Sequence, residues 1–580
     1  MVKVTIDNKP VEVVEGTTIL KAARQAGIHI PTLCYFEMAG MNFENKPGGC
    51  RVCMVEVEGK GKGNLTPACA TACTEGMVIH THNARVINAR RTVVELILSD
   101  HPAECLTCAK SGRCELQKLA QDLGIREVNY KGEQSKYRKD MSPSIIRDID
   151  KCIMCRRCEN ICNELQSVGA LSGVNRGFMA VVATAFEQDI ADSACVMCGQ
   201  CVQVCPTGAL TEVDDTRNVI NAINNPSKTV IVQTAPAVRV ALGEEFGMEP
   251  GTLVTGKLAA ALRRLGFNYV FDTDFAADLT IMEEGTEMLN RISRFMAGDK
   301  SVRLPILTSC CPGWVNFFEH NFPDMLDVPS TAKSPQQMFG AIAKSYWAEK
   351  MGIKREDLVV VSIMPCLAKK YECQRDEFKV NGNPDVDFVL STRELARLIK
   401  LYNLDLNEIE PEEFDNPLGE STGAAVIFGV TGGVIEAATR TAYELFTHKK
   451  LENVEFNELR GLEGIREAHV DFDGTDIHIG IAHGLKNART LLEMVRDGKV
   501  QFHAIEVMAC PGGCVMGGGQ PADGAPKACR AAYRTKGLYA ADGDMAIKKP
   551  NENPLMDVFY NGYFKGKAHE LCHVPHGTHE

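Results

Sequence analysis

Residues 152–162 read Cys-Ile-Met-Cys-Arg-Arg-Cys-Glu-Asn-Ile-Cys, and residues 195–206 read Cys-Val-Met-Cys-Gly-Gln-Cys-Val-Gln-Val-Cys-Pro. Both stretches space four cysteines as C-x2-C-x2-C-x3-C, the run with which bacterial ferredoxins hold [4Fe–4S] clusters. In two-cluster proteins the fourth cysteine of each run ligates the other cluster. The repeat therefore predicts two cubanes, one held by Cys152, Cys155, Cys158 and Cys205 and the other by Cys195, Cys198, Cys201 and Cys162.

The composition is that of a multidomain globular protein in a reducing compartment. The 580 residues carry a net charge of −12 and no long basic run, which argues against nucleic-acid binding. No stretch is long and apolar enough for a membrane span, and residues 1–8 alternate like a strand rather than a signal peptide. We therefore expect a cytoplasmic protein, where its 24 cysteines favour metal ligation over disulfides.

Residues 1–80 predict a small sheet with one helix, capped by Thr17 or Thr18. The cysteines of this stretch occur as a single residue, then a CxxC pair, then a distant fourth cysteine. This spacing is suited to a [2Fe–2S] cluster held in a loop. A zinc site is the weaker alternative, because zinc ribbons usually bring two CxxC pairs. The stretch resembles the plant-type ferredoxin domain, of β-grasp fold, and Cys73 is left out of the expected ligands, which are Cys34, Cys50, Cys53 and Cys69.

A further group reads His101-x3-Cys105-x2-Cys108-x5-Cys114. Alone, one histidine and three cysteines suit zinc and iron–sulfur equally. The iron–sulfur patterns on both sides favour a [4Fe–4S] cluster. The segment resembles a site of this type in the electron-input subunit of respiratory complex I.

Beyond about residue 220, apolar strands alternate with helical stretches, which predicts an α/β domain. Three of its segments end a strand in a tight loop that carries cysteine beside proline or glycine: residues 308–314, 364–372 and 506–521. Four cysteines from three such loops can bind one buried cluster, although buried core cysteines are the plainer reading. The residues alone predict a fourth cubane in this domain and nothing more specific.

These three segments closely resemble the signature segments of the [FeFe]-hydrogenase family, and the resemblance covers nearly the whole chain. It implies that Cys311, Cys366, Cys510 and Cys514 hold the [4Fe–4S] part of an H-cluster. Cys514 would bridge to a di-iron subsite with CO, cyanide and a dithiolate amine. Around that subsite the resemblance places Lys369, as a donor to one cyanide, and Pro236, Ala237, Gln336, Met364 and Met508, as residues that line it. For the two methionines, core packing is an equally good reading.

The same resemblance implies a proton relay. Cys310, the fifth cysteine of the group, would exchange protons with the bridging amine. Glu284 and Glu287 lie three residues apart, on one face if the segment is helical. Without the resemblance, a solvated helix face would be the better interpretation of that run. The expected relay runs through Cys310, Glu284, Ser330, Glu287 and Arg291.

The expected architecture is a mixed α+β and α/β multidomain protein that ends in a two-lobed α/β H-cluster domain. The predicted division is 1–80 for the [2Fe–2S] domain, 81–140 for the domain with one histidine and three cysteines, 141–220 for the two-cubane domain, 221–530 for the H-cluster domain and 531–580 for a tail that resembles the small subunit of two-chain relatives. The tail histidines His569, His573, His576 and His579 are interpreted as structural, and Cys373, Cys529 and Cys572 have no assigned role.

The expected cofactors are one [2Fe–2S] cluster, three accessory [4Fe–4S] clusters and the H-cluster, which maturation proteins would complete. The expected activity is reversible H2 oxidation and proton reduction. The chain has no GxGxxG after a strand, so NAD(P) would be reached through flavin-bearing partner subunits, with electron bifurcation as one expected mode, or electrons would pass to ferredoxin. A relay subunit or an H2 sensor is the alternative function, and the presence of Cys310 speaks against a sensor.

Overall fold

The computed structural model describes residues 1–38, 43–45, 47–59, 63–133, 136–522, 530–565 and 567–577. Cys529 and His579 lie outside the described residues. Within those ranges no helix is long and apolar enough to cross a membrane.

The N-terminal region is a five-stranded mixed sheet with one helix, as a β-grasp fold requires. Residues of the first strand alternate between buried and exposed, and it pairs antiparallel with the second strand and parallel with the last. The Thr18 side chain caps the helix by accepting the backbone N–H of Lys21 at 3.4 Å. In spatial order the strands are Lys9–Val13, Val2–Ile6, Val78–His80, Met54–Val57 and Asn64–Pro67, and the helix is Ile19–Gln25.

The next region is helical and packs on the first. Its two helices are Ala84–Ser99 and Glu115–Asp122, with a short 3-10 turn, Cys105–Thr107, between them. Val94 and Leu116 bury their side chains against Leu33 and Val52 of the N-terminal domain. One hydrophobic core therefore fixes the two regions to each other.

The two cysteine runs lie in a small α+β unit. Each run continues into a helical turn, and a hairpin separates the two runs. Its strands are Asp140–Met141, Ile145–Arg147 and Leu210–Glu212 in one sheet and Ser172–Val174 with Val181–Ala183 in the hairpin; its helices are Arg157–Asn160 and Gln200–Val204, with the π-turn Ile161–Leu165.

The large domain contains two four-stranded sheets, which confirms the predicted two-lobed α/β fold. The first sheet is wholly parallel, and its central strand Leu358–Met364 is buried at every position. The second is parallel except for an edge hairpin. In spatial order the first sheet is Tyr269–Asp272, Thr229–Thr234, Leu358–Met364 and Phe388–Ser391, and the second is Ile306–Leu307, Ala504–Met508, Thr475–His483 and Ile465–Phe472.

Helices cover both sheets. The longest, Asp274–Met296, packs against helices of both lobes. The principal helices of the domain are Thr216–Ile223, Thr255–Arg264, Asp274–Met296, Pro312–Asn321, Pro335–Ile342, Ala348–Met351, Ala368–Glu372, Thr392–Leu401, Gly423–Val426, Gly433–Thr447 and Leu485–Arg496, and those of the tail are Arg530–Asp544, Pro554–Val558 and Ala568–Cys572.

A buried ion network attaches the tail to the large domain. The Arg440 guanidinium is fully buried and donates to Glu436 at 2.9 Å and to Asp542 of the tail at 2.8 Å. Arg460 binds the same Glu436 at 2.7 Å. Because charges buried in this way must be paired, each member depends on the others.

Replacing Arg440 by Leu leaves Glu436 and Asp542 buried with less compensation. We expect the free energy of unfolding of the large domain to fall by about 3–5 kcal/mol, measured by denaturant titration. Lys449→Leu breaks an exposed pair with Asp473 and should change the free energy of unfolding very little. Equal losses in the two variants would contradict this account of the network.

Candidate redox site

Two cavities in the two-cubane domain bring the cysteines together in crossed sets. One is lined by Cys162 together with Cys195, Cys198 and Cys201. The other is lined by Cys205 together with Cys152, Cys155 and Cys158. The fourth cysteine of each run thus lies in the cavity of the other run. Burial raises the pKa of Cys195 to about 12, so these thiols need a positive charge beside them to ionise.

The four N-terminal cysteines also form one group. The sulfur atoms of Cys53 and Cys69 lie 3.2 Å apart. Hydrogen bonds from Cys50 and Cys69 lower the pKa of the Cys34 thiol. Burial is the cause that raises the pKa of Cys73.

The site around His101 lies at the surface. Cys105 is exposed, whereas His101 is partly buried. Burial, and then the charge of Lys151, lowers the pKa of His101 to about 4. A neutral imidazole can bind iron through its lone pair. Burial raises the pKa of Cys114, and the nearby Cys108 and Cys105 thiols add to that increase. The three thiols therefore lie close together.

Among the described residues, no three His, Cys, Asp or Glu side chains are arranged to hold a single metal ion. A cluster distributes its ligands over several irons, so its thiolates need not meet at one point.

The catalytic-domain cysteines meet between the two sheets. Cys311, Cys366 and Cys510 each follow the carboxyl end of a parallel strand, where such strands place their loops at a common edge. Burial and then the charge of Cys311 raise the pKa of Cys366 to about 12. Burial raises the pKa of Cys514 as well, with further contributions from Cys311 and Cys366. The four thiols are therefore within electrostatic reach of one another.

The Cys198–Gly199 turn of the two-cubane domain contacts all three loops. A Cβ on Gly518 would lie 2.5 Å from the Cys198 carbonyl oxygen, and one on Gly199 would lie 2.6 Å from Leu367. A Cβ on Gly313 would lie 3.6 Å from the Cβ of Cys198. Glycine at these positions allows the backbones to approach so closely.

Cys310 lies within electrostatic reach of Glu284 and also of Cys311 and Cys514. Burial raises the pKa of the Cys310 thiol, and the Glu284 charge is the next cause. Glu284 accepts the backbone N–H of Ser309 at 3.0 Å. Burial raises the pKa of Glu284 to about 8, so this carboxyl is protonated at neutral pH.

Further along the helix, the remaining residues of the expected relay are hydrogen-bonded in series. The Ser330 hydroxyl donates to Glu287 at 2.7 Å, and the guanidinium of the partly exposed Arg291 donates to Glu287 at 2.5 Å. Ser330 is close enough to lower the pKa of Glu284, against the larger increase from burial. Oε2 of Glu284 nevertheless makes no hydrogen bond among the described residues.

Glu372 is a residue that the sequence analysis did not assign. Its carboxylate accepts Nζ of Lys369 at 3.0 Å and the side chains of Ser334, at 3.0 Å, and Gln336, at 3.1 Å. Lys369 also donates to the Cys310 carbonyl at 3.2 Å. The spacing Lys369-x2-Glu372, which puts both residues on one helical face, is the signal that could have found it.

The other expected lining residues surround the same point. Ala237 lies in a turn after the strand Thr229–Thr234. It belongs to a cluster of buried hydrophobic side chains that Cys514 contacts. Met508 belongs to a second group that Cys310 and Cys514 contact. Met364 is the buried last residue of its strand, two positions before Cys366. Pro236 is buried beside Ala237.

The site has unsatisfied polar atoms as well as sulfur donors. Oε1 of Gln336 and Oε2 of Glu284 are buried without hydrogen-bond partners among the described residues. Native proteins rarely leave such atoms unpaired unless something else binds there. Four thiols, a lysine and these polar atoms fit a bound iron–sulfur cofactor with polar ligands.

Five family models match successive parts of the chain. Residues 228–518 match the iron only hydrogenase large subunit, C-terminal domain. The other models are a 2Fe-2S iron-sulfur cluster binding domain over residues 1–84, the NADH-ubiquinone oxidoreductase-G iron-sulfur binding region over 90–129, a 4Fe-4S dicluster domain over 151–209 and the iron hydrogenase small subunit over 529–578.

Curated relatives match over almost the full length. The chain is 61% identical to the NADP-reducing hydrogenase subunit HndD of Solidesulfovibrio fructosivorans, over 99% of this chain and 98% of that protein. It is 37% identical to iron hydrogenase 1 of Clostridium pasteurianum, over 96% and 97%. Among solved structures, an [FeFe]-hydrogenase HydA studied for H-cluster assembly aligns with TM-score 0.56 and 39% identity, over 63% of this chain and 99% of its own.

The crossed cavities predict which variants share a defect. Cys162→Ala and Cys201→Ala should lose the same electron paramagnetic resonance signal, with about four iron atoms per chain, whereas Cys155→Ala and Cys205→Ala should lose a different one. Cys73→Ala is the control and should keep every signal. If Cys162→Ala instead behaved like Cys155→Ala, the crossed assignment would be wrong.

Proposed function

Because the chain belongs to the iron-only, or [FeFe], hydrogenase family, we propose that it catalyses reversible H2 oxidation and proton reduction within a hetero-oligomer. The observation that supports the proposal is the group of five buried or partly buried cysteines from three loops, of which Cys310 lies within electrostatic reach of the buried Glu284. A cubane needs four thiolates, so one thiol remains for chemistry. H2 evolution from reduced methyl viologen by the matured protein tests the proposal directly.

Cys311, Cys366, Cys510 and Cys514 would hold the cubane of the H-cluster, with Cys514 also at the di-iron side. When bound, the H-cluster supplies redox-active iron and an amine that can carry a proton. Lys369 would donate a charge-assisted hydrogen bond to a cyanide ligand. Its ammonium already bonds Glu372 and the Cys310 carbonyl, so this chain positions the lysine before any cofactor contact.

Protons would reach the site along the helix Asp274–Met296. In the direction of H2 evolution, the Cys310 thiol gives up its proton and the Glu284 carboxyl restores it. Glu287 then reprotonates Glu284 through the Ser330 hydroxyl, and Arg291 holds Glu287 at the entrance. The 2.7 and 2.5 Å hydrogen bonds support the outer steps. The step from Ser330 to Glu284 needs a rotation or a water, because Oε2 of Glu284 has no partner among the described residues.

Electrons would pass through the accessory clusters. The Cys108 sulfur lies 2.6 Å from a Cβ built on Gly208, three residues after Cys205, so the His101 site adjoins the cavity of Cys152, Cys155, Cys158 and Cys205. Cys198, which lines the cavity of Cys162, Cys195 and Cys201, raises the pKa of Cys510 electrostatically. We propose one [2Fe–2S] and three accessory [4Fe–4S] clusters, in the five domains with the boundaries predicted above.

The proposed partners are flavin-bearing, NAD(P)-linked subunits. The match of residues 90–129 to an NADH-ubiquinone oxidoreductase region and the name of the relative HndD support this choice. Ferredoxin would be a second electron partner, with bifurcation between the two, and maturation proteins would assemble the di-iron subsite. Native purification that brings no flavoprotein would contradict the hetero-oligomer. Cys310 argues against an H2 sensor, and the three loops argue against a mere relay subunit.

Cys310→Ser keeps the side-chain size but puts a far weaker acid in the relay. We expect H2 evolution and uptake to fall by about 10²–10⁴-fold, with the infrared CO and cyanide bands retained. Cys311→Ser removes a ligand and should lose those bands. If the bands were lost in Cys310→Ser but kept in Cys311→Ser, Cys310 would be the cluster ligand and Cys311 the proton-transfer residue.

Glu284 sets the expected pH dependence. With its pKa raised by burial to about 8, the carboxyl can donate a proton below that pH, so H2 evolution should decline as pH rises through it. H2 oxidation needs the carboxylate and should decline as pH falls below it. Glu284→Gln should reduce both rates by about 10²-fold or more. Its neighbour Glu283, which pairs with His573, provides the control Glu283→Gln, which should keep most activity.

A further inference from the structure

An apolar patch is exposed on the hairpin side of the two-cubane domain. The Phe186 side chain is 99% exposed, and Phe178 and Met179 are about half exposed. Asn175 donates to Glu187 at 3.1 Å, and Tyr137 donates to the Met179 carbonyl at 2.6 Å. These bonds hold the two turns side by side. Contiguous exposed apolar side chains of this kind mark interaction surfaces.

The backbone holds Phe186 outward at an unfavourable conformation. Phe186 has φ = 54° and Glu187 has φ = 56°. Bulky residues rarely adopt positive φ, and such strain persists where the surrounding structure enforces it, often at functional sites. Burying the ring would increase the stability of the fold. Its exposure therefore indicates a role in binding.

The strand Val181–Ala183 of the hairpin is buried on both faces and borders a cluster cavity. Val181 and Ala183 pack in a group that Cys152 contacts, and Val182 lines the cavity of Cys152, Cys155, Cys158 and Cys205. Phe186 follows Val182 by four residues, so their Cα atoms are at most about 14 Å apart. Whatever binds Phe186 therefore comes close to this cluster site.

The rim of the patch is basic although the chain is acidic. Lys136, Lys139 and Arg176 are exposed around it, in a protein with a net charge of −12. Of the nearby acids, Asp189 pairs with Arg138, whereas Glu187 accepts from the neutral amide of Asn175 and keeps its charge. Three basic side chains therefore stand against one acidic side chain at the patch. A local positive field attracts and orients an acidic partner, and it disfavours a second copy of this acidic chain.

We propose that the carrier patch, defined as Phe178, Met179, Phe186, Lys136, Lys139 and Arg176, docks an acidic electron-carrier protein of the ferredoxin class. One electron passes from the reduced carrier to the cluster at Cys152, Cys155, Cys158 and Cys205, which is reduced as the carrier is oxidised, and no bond is formed or broken. This inference rests on the proposed function, because it requires a redox-active cluster at that site.

The test uses the matured full chain with two electron donors: an acidic 2[4Fe–4S] ferredoxin and methyl viologen. Phe186→Ser and Arg176→Glu should each raise the ferredoxin KM, and the Kd measured by calorimetry, by about tenfold. The viologen-driven rate should stay within twofold. Salt should weaken ferredoxin binding less in Arg176→Glu than in the unmodified chain, since one attractive charge is gone.

Leu401→Ser is the matched control, because Leu401 is exposed on a catalytic-domain helix far along the chain and should change neither constant. Unchanged Kd and KM in both patch variants would overturn the carrier patch, as would an equal change in Leu401→Ser. Absence of viologen-driven H2 evolution in the unmodified chain would instead contradict the proposed function. The Kd comparison would still decide the docking site.

Discussion

Burial of thiolates is the constraint on which this structure depends. Burial raises the pKa of all four cysteines assigned to the H-cluster site, and neighbouring thiols further raise the pKa of Cys366, Cys510 and Cys514. Five thiols in such a place are chemically sensible only if positive charge joins them, and metal binding then contributes to folding free energy. The loops that carry them follow parallel strands, whose rigid carboxyl ends fix where each sulfur stands.

The buried charged side chains around this site are also paired with groups that compensate their charge. Lys369 is held by Glu372, which also accepts Ser334 and Gln336. A second buried carboxylate, Glu506, accepts the backbone N–H groups of Gly432 and Ile435 at the start of a helix. Such pairing offsets the cost of removing charges from water. It also fixes the side chains that face the site, so that the catalytic groups need little rearrangement during turnover.

The tail contacts the loop that carries Ser330, a residue of the proposed proton route, although the tail is remote in sequence. Residue Ala332 forms a β-bridge with His573, and the Lys333 N–H donates to the Cys572 carbonyl at 2.7 Å. His576 bonds the Ser330 carbonyl at 2.7 Å. The tail histidines thus support the loop that carries Ser330. This contact gives a physical reason for the tail to be fused to the domain.

The cysteine spacings by themselves determined the two-cubane domain, because ligands within a few residues are constrained by local backbone geometry. The crossed sharing of Cys162 and Cys205 followed from the same run and is what the cavities display. The helix that aligns Glu284 with Glu287 could also be expected from their spacing, and the resemblance of three short segments identified the family. Only the tertiary structure decided three features: the hydrogen bonds that converge on Glu372, the contact of His576 with Ser330, and the exposure of Phe186. Each of these features depends on which distant segments pack together and which remain uncovered. The free energy of that packing is the sum of many weak contacts between residues far apart in the sequence, and no short motif contains them.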